Sequence, residues 1–103
     1  MNTDLPAEAL PLLPALREDA ARRSGASAAD LRIVSVEDVT WADGGLGCAQ
    51  PGQMVTMALV PGWRIVLAAP GGAPQHYHAS RRGGWVWCPA ERSRTPPGAL
   101  QRL

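Results

Sequence analysis

Lysine and phenylalanine are absent from this chain, tyrosine occurs once and cysteine twice. All ten basic residues are therefore Arg, which offers planar bidentate donors wherever it binds. Without Phe, most of the large core volume has to come from Trp41, Trp63, Trp85 and Trp87. The chain also lacks a charge imbalance: its formal net charge is +1, which gives no general electrostatic case for nucleic acid or for a membrane surface. The paired arginines Arg81-Arg82 and those near the C-terminus read as a solvated turn and tail. No apolar run approaches the roughly 18–20 residues of a membrane span. The N-terminus does not read as a signal peptide, because Asp4 and Glu8 stand where basic residues belong and Pro6, Pro11 and Pro14 interrupt the apolar stretch. From this N-terminus a cytoplasmic location is expected.

At 103 residues the chain is long enough for one domain, able to bury roughly 60–65% of its unfolded surface. Residues 1–11 are expected to be a flexible lead-in, residues 12–88 a single domain and residues 89–103, with three prolines and three arginines, a disordered tail. A helix is expected from Leu12 to Ser24. Pro14 suits its first turn, Arg22 and Arg23 its last, and Gly25 its stop. Leu13, Leu16, Ala20 and Ala21 give it an apolar stripe, and Ser27 can cap one further turn through Asp30.

Strands are expected over Leu31–Trp41, Met54–Val60, Arg64–Ala69, Gln75–Ser80 and Trp85–Cys88. They are separated by Gly/Pro signals, among them Pro61-Gly62 and the run from Pro70 to Pro74. The alternation in the first strand is imperfect, which implies either partial cover on both faces or a bulge near Glu37-Asp38. The expected fold class is α+β: one N-terminal helix packed on a curved antiparallel sheet of four to five strands. Its layout is analogous to cystatin or PepSY domains, an analogy of fold only.

The stretch from Val39 to Gly52 stands out. Four glycines between Gly44 and Gly52 permit positive φ and close backbone approach, while Trp41 and Leu46 can anchor the turn by burial. Such a loop either presents a recognition surface or simply delivers Cys48 to the core. As a binding loop its contact residues would be Trp41, Asp43, Gly45, Leu46 and Gln50, with Tyr77 and His78 beside them.

Cys48 and Cys88 admit three readings. Bonded, they would tie the loop to the last strand, and closing a loop of this length is worth about 4 kcal/mol in the chain-entropy model. Reduced, they are two inert buried thiols, as a cytoplasmic start suggests. Joined to His76 and His78, whose side chains share one strand face, they could complete a zinc set, although the spacing matches no zinc ribbon or finger.

A nucleophilic Cys48 activated by either histidine and oriented by Asp43 or Asp38 lacks a helix N-terminus to depress its pKa. The neighbouring carboxylates Glu18-Asp19 and Glu37-Asp38 form no convincing acid–base dyad. Trp85, Trp87 and Trp63 could make a stacking platform, but they are needed as core.

The segments Val39 to Gly52, Val60-Pro61-Gly62-Trp63-Arg64-Ile65-Val66-Leu67, Tyr77-His78 and Cys88 resemble a family of small uncharacterised bacterial proteins and lipoproteins. Its members carry a similar Trp-Asp-Gly-x-Leu-Gly-Cys-x-x-Pro-Gly segment, and it has no established activity. The resemblance covers about residues 25–88; Trp63 stands where a Tyr is usual, and no leader is visible. It implies export to the periplasm or cell surface and favours a Cys48–Cys88 disulfide. The sequence as a whole therefore leads to a non-enzymatic binding or interaction module with no cofactor and no catalytic residue. The expected partner is a protein or small ligand, and the expected state a monomer. The alternative is a metal-binding protein.

Overall fold

A computed structural model describes residues 6–96. The parts of the expected lead-in and tail at 1–5 and 97–103 lie outside the described residues. A 3-10 helix, Ala7–Leu12, runs directly into α1, Leu13–Ser24. The lead-in is thus structured from residue 7, and its Ala9 is fully buried against the core.

Pro14 lies in the first turn of α1, where its missing N–H is no loss. Gly25 adopts φ 67°, and the amides of Gly25 and Ala26 both return to the Ala21 carbonyl, closing the helix end. A second 3-10 turn, Ala28–Asp30, is capped by Ser27, whose hydroxyl accepts from the Ala29 amide at 3.3 Å.

Four strands follow in one antiparallel sheet whose spatial order is also the chain order: β1 Arg32–Trp41, β2 Val60–Ala68, β3 Gln75–Ser80 and β4 Trp85–Cys88. The α+β class is as expected, with the strand number settled at four.

One expected strand does not form. Residues Met54 to Leu59 lie outside the ladder, and β2 begins at Val60 and runs straight through Pro61-Gly62. The Pro-Gly pair looked like a turn, but here each residue has another task. Pro61 is second in its strand, where a missing donor costs the ladder little. Gly62 lets β3 come close: a Cβ built there would stand 1.8 Å from the Ala79 carbonyl oxygen. The β1 bulge also lies earlier than expected, with the register shifting between Ile33 and Ser35, so Val34 is the extra residue. That shift brings Ile33 and Val36 onto one face.

This face meets the helix. Leu16, Ala20 and Ala21 of α1 pack on Leu31, Trp63, Ile65, Leu67, Tyr77 and Ala79, with Trp85 and Trp87 at the margin. The alanines let the helix lie close. Its one buried acid, Asp19, accepts hydrogen bonds from the Tyr77 hydroxyl (2.7 Å), Arg23 Nε (2.7 Å) and Arg22 (3.2 Å). Burial pushes the Asp19 carboxyl up, but those donors outweigh it and hold the pKa below the ordinary value. For Tyr77, burial and the facing Asp19 carboxylate raise the phenol well above its usual range. Arg23 also lies 3.9 Å over the Trp87 ring. The tryptophans of β4 are therefore core and margin, not an open platform.

Candidate functional site

The second face of the sheet carries Glu37, Val39 and Trp41 from β1, Gly62 and Arg64 from β2, His76 and His78 from β3, and Cys88 from β4, by the alternation of the paired registers. Residues 42–59 join β1 to β2, and the first half of this loop folds over the face through Leu46, Gly47 and Cys48. A cystine joins Cys48 of that loop to Cys88 of β4 across 40 positions, so among the three readings of the cysteines the structure forms the disulfide.

Trp41 organises the loop. Its indole stacks on His78 with ring centroids 4.2 Å apart, and its Nε1–H donates to the Ala79 carbonyl at 3.0 Å. Between β1 and β3, the glycine at position 62 leaves no side chain in the way of the ring. Gly47 closes over the indole: at φ 73°, a Cβ there would come within 2.9 Å of Trp41 Cε3. The residue before it, Leu46, takes φ 59°, the one non-glycine positive φ among the described residues. That conformation costs about 1 kcal/mol or more, and it aims the Leu46 carbonyl at His78.

The rest of the loop holds itself by local bonds. Asp43 Oδ1 accepts from the Gly45 amide at 2.8 Å, and Gly44 N–H donates to the Thr56 carbonyl at 2.8 Å. Gly45 has no space for a side chain between Ala49 and Val55. Pro51-Gly52 makes a tight turn with Gly52 at φ 82°, closed by the Gln53 amide on the Gln50 carbonyl.

His78 is fully buried and makes two hydrogen bonds. A carbonyl can only accept, so Nδ1 carries the proton and donates to Leu46 O at 2.7 Å. Nε2 then accepts from the Ser93 hydroxyl at 2.9 Å. Burial drives the imidazole pKa down to about 4 against the support of the Leu46 carbonyl, with Arg64 and His76 adding to the fall, so the ring is neutral at pH 7.

Arg64 completes the network. Its Nε donates to Ser93 Oγ (3.0 Å), and its terminal nitrogens reach Glu37 (3.0 Å), the Ser93 carbonyl and His76 Nδ1 (both 3.4 Å). Burial, then the Arg64 cation, lowers the pKa of His76. Thr95 donates to the same Glu37 oxygen at 2.7 Å, and Arg92 reaches the Ala49 carbonyl at 3.3 Å. Residues 89–96, expected to belong to a disordered tail, thus fold back onto the sheet and the loop.

Of the residues expected to meet a partner, Trp41 and Leu46 are buried as anchors, and Asp43 and Gly45 are half-buried in the turn. Tyr77 lies under the helix and His78 under the loop, both without exposed surface. Gln50 is exposed. His76 and His78 share a face as their spacing requires, but only His78 meets the cysteines: its ligand nitrogen and the two sulfurs lie within 4.8 Å of one another.

Ser93 and Arg64 had no signal in the sequence, since a serine among arginines and prolines looks like any tail. Ser93 and His78 resemble a nucleophile and its base, but the serine is buried and its oxygen is occupied by Arg64 as well.

The surface exposed by this arrangement is the second half of the loop. Met54, Met57 and Leu59 are 94%, 83% and 76% exposed. No charged residue occurs from Gly44 to Trp63. Where this arm returns to β2, a cleft of about 450 Å³ opens between Ala58–Pro61 and Ser80, Arg81 and Arg82. Arg81 is engaged with Asp38 (2.7 Å) and Glu8 (3.3 Å). No helix among the described residues is long and apolar enough to cross a membrane.

No curated protein and no solved structure matches the chain. The model of a domain of unknown function, DUF8738, matches residues 13–88. That span opens on the first residue of α1 and closes on Cys88, and so contains the sheet, the covering loop and both ends of its disulfide. The chain belongs to the DUF8738 family.

Proposed function

We propose that this domain is a non-enzymatic protein-interaction module, and that its contact surface is the arm at residues 53–59 rather than the buried first half of the loop. The observation that carries this reading is the concentration of the three most exposed large apolar side chains among the described residues, Met54, Met57 and Leu59, on one uncharged segment. That segment is anchored at both ends, by the Cys48–Cys88 staple before it and by β2 after it. Exposed apolar patches of this kind need a partner, and methionine adapts to varied apolar surfaces.

The occupant we assign is an extended apolar segment of another protein that carries a carboxylate. Extended peptides pair with extended backbone, and Arg82 places a cation at the cleft end of the arm. The disulfide fits an oxidising compartment, so export to the periplasm or cell surface is the location that goes with this role.

A random peptide library selected on the wild-type protein and counter-selected on Met57→Glu/Leu59→Glu tests it. Enriched peptides should share an apolar run with an Asp or Glu and bind at least tenfold more weakly to Arg82→Glu. Absence of any enrichment that depends on Met57 and Leu59 overturns the reading. Concentration-dependent self-association lost in the same double variant would instead make the occupant a second copy of this chain.

A further inference from the structure

We infer that, once its disulfide is reduced, this chain binds a zinc ion through Cys48, Cys88 and His78. The inference is independent of the arm and its partner. Three donors from separate segments converge here: Cys48 from the covering loop, His78 from β3 and Cys88 from β4, with ligand atoms all within 4.8 Å of one another. Zinc held by sulfur at about 2.3 Å and nitrogen at about 2.0 Å sets its ligand atoms about 3.5–4 Å apart. The imidazole nitrogen lies within 4.8 Å of both sulfurs, so it has little distance to close, and the larger change is the separation of the two bonded sulfurs.

The fold assigns the movement to one of them. Cys88 and His78 are fully buried in adjacent paired strands, whereas Cys48 is partly exposed on a loop with glycines at 44, 45, 47 and 52. Two fixed ligands and one hinged ligand can bind a metal without moving the sheet.

Both ring nitrogens of His78 already have partners, the Leu46 carbonyl and the Ser93 hydroxyl. Whichever nitrogen turns to the metal, the other keeps an outer hydrogen bond that fixes the ring, as metal-bound histidines require. The stacked Trp41 indole covers one side of the ring. Two thiolates with an imidazole select zinc over magnesium or calcium. The fourth position would be taken by water reaching the site from the exposed side of Cys48.

The chemistry balances with a dithiol as reductant. Two electrons and two protons pass from the dithiol to the cystine, giving two protein thiols and an oxidised dithiol. Zinc then displaces one proton from each thiol into solvent, and the metal-bound sulfurs no longer recombine. The same pair of cysteines is thus a staple when oxidised and two thirds of a metal site when reduced.

The test uses the full chain reduced without oxygen, freed of reductant, and titrated with zinc and, separately, with cobalt. Wild type should retain one zinc per chain through gel filtration, with both thiols protected from alkylation, and cobalt should give a thiolate charge-transfer band with tetrahedral d–d bands. His78→Gln should bind at least tenfold more weakly, and Cys48→Ser should lose retention. Oxidised wild type, as the control, should retain none. Zinc held equally by wild type and His78→Gln overturns the inference, and so does reduced wild type that retains no zinc, folded or unfolded. If His78→Gln fails to fold, the cobalt spectrum of wild type decides: a spectrum without tetrahedral thiolate features overturns the inference.

Discussion

Trp41 and His78 lie face to face, 4.2 Å between centroids and 17° between planes, although a whole strand separates β1 from β3. The contact exists because β2 is bare at Gly62 and because the loop that follows Trp41 returns to clamp both rings.

Gly62→Ala should therefore be among the most damaging single changes available. Its methyl would meet the Ala79 carbonyl and force β2 from β3, costing about 3 kcal/mol or more. Gly52→Ala, in a turn with open space around it but positive φ, should cost only about 1 kcal/mol. Urea midpoints of the two variants check the contrast, and equal midpoints would refute the close-approach account.

The buried imidazole makes stability depend on pH. His78 titrates at about 4 in the folded chain and near 6.5 when unfolded. Between those values the unfolded chain binds the extra proton, so stability is complete above pH 6.5 and falls as pH drops toward 4. The full loss should be about 3 kcal/mol, most of it reached by pH 4.5. Asp19, whose pKa is lowered from 3.8, acts only in a more acid window, and His76 contributes in the same direction as His78. Urea unfolding at pH 7 and pH 4.5 should show a clear loss for wild type and for His76→Gln, and a much smaller one for His78→Gln.

Ser93→Ala removes the donor to His78 Nε2 and the acceptor for Arg64 Nε at once. A loss of about 1–3 kcal/mol is expected, with faster amide exchange in residues 89–96. An unchanged midpoint would show that this segment is not held by its serine.

Tyr77→Phe deletes one hydrogen bond to Asp19 but leaves both arginines in place, so about 1–2 kcal/mol should be lost. Replacing Asp19 by Leu in the same background should cost more, because it strands Arg23 over Trp87. Thermal unfolding of the single and double variants measures the coupling.

The helix was legible because its signals are local: Pro14 at the start, arginines near the end, Gly25 at the stop. Four strands were legible from β-branched and aromatic runs between turn residues. Met54–Leu59 was misleading because β-propensity describes a residue that fits a pleated surface, not one that has found a partner strand. Pro61-Gly62 misled for a related reason. A glycine needed for close approach between strands looks the same in sequence as one needed for a turn. The loop was visible as a feature, and Cys48–Cys88 as one reading of the cysteines. Which loop residues face inward was not visible, since that depends on the Trp41 side chain reaching over Gly62 of β2 to His78. The Arg64–Ser93–His78 network joins three segments far apart in the chain and leaves no local pattern.

The cystine closes a ring that contains the exposed arm, β2, β3 and β4, while α1 and β1 hang outside it. A protease that cuts the arm would therefore open the ring without releasing anything. The two pieces would stay covalently joined through Cys48 and Cys88, and would part on a gel only after reduction. The arm that carries the most exposed large apolar side chains among the described residues is thus a place where cleavage does not detach the surface around it.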